Sequence, residues 1–118
     1  MKYFNITMLL PAFFCGSAFA TTINCIPDEV GQYDLRVHIR CEQAVQDGSN
    51  SIKFFAVSAV GDVGVADTAN RLLSVGMAAL AAGKSVSVIF DAGDLSGESY
   101  GCGAVNCRKP RAFFLEKE

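Results

Sequence analysis

The sequence contains no tryptophan, a single histidine (His38) and only three prolines, and just 19% of its residues are charged. One imidazole leaves histidine-based acid–base chemistry a single candidate, and no serine sits in a nucleophile-elbow pattern, so a non-catalytic protein is expected. A basic surplus is missing too. Ten Lys and Arg stand against twelve Asp and Glu, for a formal charge of −2. Nucleic-acid-binding domains usually carry the opposite balance, so none is expected as a partner. No apolar run reaches the roughly 20 residues that a helix needs to cross a bilayer, so no membrane insertion is expected. Internal repeats and low-complexity tracts are also lacking. What is present is apolar: 51% of the 118 residues, too many for a disordered chain and enough for one domain.

The first twenty residues read as an export leader. Lys2 supplies a positive start, Ile6 to Phe14 an apolar run of signal-peptide length, and Ala18 and Ala20 small residues at the two positions a signal peptidase reads, placing cleavage after Ala20. Phe14 is too bulky to precede a lipidated Cys15. Cleavage leaves 98 residues, 21–118, as a single domain with a charge of −3. It also removes one of five cysteines, leaving Cys25, Cys41, Cys102 and Cys107. An even count in a small exported domain reads as two disulfides, and so as a secreted or periplasmic protein. Their spacings do not form the paired knuckles of a zinc site, and C-x4-C lacks the helix start of a redox motif.

Along the mature chain, Thr21 to Ile26 is β-prone, and a turn is expected over Gly31 to Asp34. Leu35 to Cys41 alternates with period two: Leu35, Val37, Ile39 and Cys41 on one face, Arg36, His38 and Arg40 on the other. Ile52 to Ala59 is a further strand. Asp67 is a candidate helix cap ahead of Thr68 to Ala82, and Gly83 closes that helix. Ser85 to Asp91 and Arg111 to Leu115 are the last strands, separated by a long glycine-rich loop. The order β-β-β-α-β-β, with one helix between strands 3 and 4, predicts a mainly β, α+β fold: a five-stranded OB-fold-like barrel.

Four cysteines permit three connectivities. A hairpin turning near Tyr33 would set Cys25 directly across a ladder from Cys41, within disulfide reach. Cys102 would then pair with Cys107 and stiffen the glycine-rich loop.

The predicted helix is apolar on more than one side. Leu73, Met77 and Leu80, extended by Leu72, Gly76 and Ala79, form the stripe expected to face the core. The opposite face carries Arg71 and Ser74 but also Val75, Ala78, Ala81 and Ala82, with no charge between Arg71 and Lys84. A helix with so little polar face is usually buried a second time, here most simply against another copy of the chain. Arg71, Val75, Ala78 and Ala82 are the interface candidates.

The stretch from Ile52 to Phe114, with IKFFAVSA, the helix ANRLLSVGMAALAAGK, SVSVIFD and the late YGCGAVNCR, resembles the B subunits of bacterial AB5 toxins of the subtilase cytotoxin type. The resemblance implies a secreted, ring-forming subunit, a homopentamer, that binds a sialylated cell-surface glycan or glycoprotein beside an exported catalytic A subunit. It does not reach Thr21 to Ser51, and no sugar-contacting residue is carried over from it. The alternative is a stand-alone periplasmic binding or inhibitor module without a toxin partner.

Arg36 and Arg40 can offer bidentate hydrogen bonds to a sugar carboxylate, although such a stripe is more often the solvated face of a sheet. Tyr100 and Ser99, in the loop stapled by Cys102 and Cys107, make a candidate sugar platform; the plainer role for Tyr100 is packing the loop down. Asp91, Asp94 and Glu98 match no calcium-loop spacing, and no metal or cofactor is expected.

Overall fold

The computed structural model describes residues 19–117. The expected leader falls mostly on residues 1–18, outside the described residues, and the expected cut falls at the first residue of the first strand. The elements are β1 (Ala20–Cys25), β2 (Pro27–Tyr33), β3 (Arg36–Asp47), β4 (Asn50–Ser58), α1 (Val63–Ala82), β5 (Val86–Asp91), a 3₁₀ turn (Ser96–Tyr100), β6 (Cys107–Arg108) and β7 (Pro110–Leu115).

The expectation of a five-stranded barrel is corrected. The strands form two sheets, β1-β5-β7 and β2-β3-β4-β6, neither closed into a barrel. The fold is mainly β with one helix, but that helix follows the fourth strand rather than the third. The difference lies in PDEVGQY. A turn is expected over Gly31 to Asp34, yet Pro27–Tyr33 forms β2, an edge strand, where proline and glycine are tolerated. The chain reverses over Asp34-Leu35 instead, and Asp34 takes a left-handed φ of 45° that Asp accepts more readily than most residues.

The core lies between the two sheets and the helix. Ile39, Ile52 and Phe55 meet Val86, Val88 and Phe90, with the Phe55 and Phe90 rings 5.3 Å apart. The helix begins at Val63, five residues ahead of the expected start, because Asp62 rather than Asp67 is its cap and accepts from the Val65 N–H. Gly83, at φ 67°, ends it as expected. Its buried stripe is Ala69, Leu72, Gly76 and Ala79. Burying Leu72 fully stabilises the fold by roughly 1.5–3 kcal/mol. Gly76 lets the helix lie close on β2 and β3: a methyl there would come within 2.6 Å of Ile39 Cγ2 and 3.0 Å of Val30 Cγ1. The helix is therefore rotated from the expected position. Leu73 is half-buried against the core, while Met77 and Leu80, expected inside, are 54% and 42% exposed.

Both expected disulfides are present, Cys25–Cys41 and Cys102–Cys107, each with Cα atoms 5.1 Å apart. The first does not cross a ladder of one hairpin, as expected. Cys25 ends β1 and pairs with Val86, whereas Cys41 lies in β3 opposite Pro27. The bond joins the two sheets. Among the described residues, no helix is long and apolar enough to cross a membrane.

Candidate functional site

The alternation of β3 sends Val37, Ile39 and Cys41 into the core and Arg36, His38 and Arg40 to the other face of their sheet. That second face is solvated at Arg40 but covered at His38. The chain after β5 folds over it and forms a small second apolar cluster, Ala56 with Cys102 and Cys107, joined by Phe54 and Tyr100. Local chemistry shapes this cover. Asp94 accepts from the Ser96 N–H at 2.9 Å, starting the 3₁₀ turn, and the Cys102 N–H reaches the Gly97 carbonyl at 3.0 Å. That hydrogen bond from the Ser96 backbone, with the Ser96 hydroxyl, keeps the Asp94 carboxyl below the usual carboxylate range.

Tyr100 is fixed at both ends. Its ring packs in the second cluster, and its hydroxyl donates to the Ala56 carbonyl at 3.0 Å. Burial, with Asp94 nearby, pushes the phenol up to about 12. Arg36 holds the following residue: Nη1 donates to the Gly101 carbonyl at 2.9 Å, with the guanidinium 4.8 Å from the Tyr33 ring centre. Its Nε donates to His38 Nδ1 at 3.3 Å. His38 is 2% exposed, between Tyr33 and the edge of Phe54, and its Nε2 lies 2.9 Å from Glu29 Oε2. The hydrogen bond with His38 holds the Glu29 carboxyl below its ordinary value.

The far end of the loop is anchored by a buried ion pair. Arg108 Nε meets Asp47 Oδ2 at 2.6 Å, and Nη1 donates to the carbonyls of Ala104 and Cys107. Asp47 also accepts from the Gly93 N–H at 2.8 Å. Desolvation, the largest single influence, pushes the Asp47 carboxyl up, but the Gly93 and Arg108 hydrogen bonds and the Arg108 charge together bring it below its usual value.

Beside this cover opens a cleft of about 610 Å³, between the end of β4, the start of the helix and the crossing into β7. Val57, Val65 and Pro110 give it apolar walls, Ser58, Asp62, Thr68 and Tyr100 give it polar groups, and Lys109 and Arg111 also line it. Arg111 pairs with Asp91 at 3.3 Å.

Of the four sugar-site candidates, the structure brings two together. Tyr100 lines the cleft, and Arg36 grips the next residue. Ser99 is exposed, with its hydroxyl turned back to the Ser96 carbonyl at 3.4 Å. Arg40 lies elsewhere, 2.7 Å from Asp28 and 3.0 Å from Glu29, and its hydrogen bond holds the Asp28 carboxyl low. Among the interface candidates, Arg71, Ala78 and Ala82 are exposed and Val75 is half-buried against the core. No group of three or more metal-ligating side chains occurs among the described residues. Sequence reasoning missed the part of Glu29 and Tyr33 in the network and of Lys109 and Arg111 in the cleft. The run RKPR directly after the second cysteine pair was the available signal for the last two.

The chain matches no protein-family model, no curated protein and no solved structure.

Proposed function

We propose that this chain is an exported, non-catalytic binding subunit, akin to the B subunits of AB5 toxins of the subtilase cytotoxin type, that takes the sialylated end of a cell-surface glycan or glycoprotein. The observation that carries the reading is the cleft itself: an open, partly apolar recess lined by Lys109 and Arg111 and by Tyr100 from a disulfide-stapled loop. A loop held in place before binding loses little freedom on binding, which favours recognition of a polar, well-solvated ligand. Lys109, and Arg111 on exchanging its Asp91 partner, suit a sugar carboxylate.

The exposed helix surface supports assembly into a ring, a pentamer, beside an exported catalytic subunit. Met77 and Leu80 stand in solvent with Ala78, Ala81 and Ala82, an apolar stretch at the C-terminal end of the helix that a neighbouring copy would cover.

Saturation-transfer NMR with sialyllactose and with lactose tests the ligand. Transfer to the sialylated sugar alone is expected, and its loss in the Lys109→Ala, Arg111→Ala double variant. Equal transfer to both sugars, or none, removes the proposal. Sedimentation velocity tests the ring: a species with the mass of one chain at high concentration rules it out and leaves a stand-alone binding module. Where a ring forms, Met77→Asp is expected to break it.

A further inference from the structure

Both nitrogens of the buried imidazole are committed, and the two commitments differ in kind. A guanidinium N–H can only donate, so Nδ1 of His38 carries a lone pair toward Arg36. The ring proton therefore sits on Nε2 and is donated to Glu29. The same Arg36 guanidinium holds the Gly101 carbonyl, next to Tyr100. We infer that Glu29, His38 and Arg36 form a proton-operated latch on the loop that carries Tyr100.

Adding a proton to His38 places an N–H on Nδ1, where Arg36 Nε–H already points. Two donors and two positive charges then face each other at a separation of 3.3 Å, and the Arg36 contact is lost. The contact to Glu29 strengthens, because a neutral donor becomes a charged one. The ring thus stays with β2 while Arg36 swings out and releases Gly101. The Tyr33 ring, 4.8 Å from the guanidinium, is the other contact that Arg36 has to leave.

The surroundings leave the proton few other destinations. β2 contributes Glu29 and Tyr33, β3 contributes Arg36 and Arg40, and Arg40 is turned to Asp28 and to the other oxygen of Glu29. From β4 the neighbours are Phe54 and Ala56, neither of which titrates, and from the 3₁₀ turn Tyr100, whose hydroxyl is held by Ala56. The latch is a property of the fold. Only its consequence, acid release of a ligand from the cleft, rests on the binding role proposed above.

The test uses no ligand, so it stands or falls separately from the sugar experiment. Amide hydrogen exchange of residues 96–107 is measured at about pH 7.5 and about pH 5, either side of the range in which histidine ordinarily titrates, and corrected for intrinsic rates. Protection at Gly101 and Cys102 is expected to fall by about tenfold or more in acid, with β4 and β5 unchanged. His38→Gln can donate to Glu29 and accept from Arg36 but cannot take up the proton, so its loop is expected to stay protected at both pH values. Equal protection of the wild type at both values, or an acid response of His38→Gln matching the wild type, overturns the latch. Nitrogen shifts of the wild-type ring give a check that needs no variant. They are expected to show the Nε2–H tautomer at neutral pH, and the Nδ1–H tautomer there refutes the geometry.

Discussion

Replacing Asp47 by Asn removes one charge from a pair that lies almost wholly inside the protein. The Asp47 and Arg108 side chains are 8% and 2% exposed, and no other carboxylate contacts the guanidinium among the described residues. Deleting one partner of a buried pair costs about 3–5 kcal/mol, because the other charge is left without its counter-ion. Asn keeps an oxygen for the Gly93 N–H or for Arg108, and Arg108 keeps the Ala104 and Cys107 carbonyls, which places the expected loss at the low end, about 3 kcal/mol. That is a large part of the 5–15 kcal/mol typical of a small domain. Urea unfolding of the oxidised protein measures it without the ionic screening that guanidinium would add. A midpoint shift of the expected size with an unchanged slope supports the account. The double variant Asp47→Leu, Arg108→Met removes both charges and is expected to be more stable than Asp47→Asn alone. If Asp47→Asn stays within about 0.5 kcal/mol of the wild type, the pair does not anchor the loop and the reasoning fails.

The same carboxylate sets a pH dependence. Its folded value is depressed, so its contribution is present above the unfolded carboxylate range and is lost as pH falls through the folded value; Asp47→Asn should flatten the acid limb of a stability–pH curve. For Tyr100 the sign is reversed. Raised to about 12, it stabilises the fold below the unfolded phenol value and loses that contribution as pH rises through 12, so ultraviolet titration should show a phenol ionising well above the ordinary value of about 10. Tyr100→Phe should cost about 1 kcal/mol through the lost Ala56 hydrogen bond. Gly76→Ala gains about 1 kcal/mol of helix propensity but meets stiff, buried Ile39, and overpacking of about 1–3 kcal/mol should make it destabilising overall, with Ile39→Ala as the relieving partner in a thermal-melt cycle. Removing Cys25–Cys41, which spans 16 residues, should cost about 3 kcal/mol, against about 2 kcal/mol for Cys102–Cys107, which spans 5; the opposite order would contradict the loop-entropy reasoning.

The legible parts were those governed by neighbours in sequence. Leu35 to Cys41 alternates, and the structure puts Val37, Ile39 and Cys41 in the core. Gly83 sits where a left-handed helix end is needed. Other features depend on residues far apart in the chain. His38 looked solvated because its cover comes from Phe54 and the loop beyond Gly97. The helix start expected at Asp67 lies five residues past the actual cap, Asp62, which accepts from the Val65 N–H. The helix rotation that exposes Met77 and Leu80 follows from Gly76 fitting against Val30 and Ile39, a match of shape that composition does not display. The cysteines pair as expected but for a different reason: Cys25 ends β1 and Cys41 lies opposite Pro27, both close to the point where the chain passes from one sheet to the other.

That passage takes a single residue, Ile26, between β1 and β2, and Lys109 alone makes the return journey between β6 and β7. The Cys25–Cys41 bond therefore staples one layer to the other close to where the chain crosses between them, whereas the Cys102–Cys107 bond closes within a single loop.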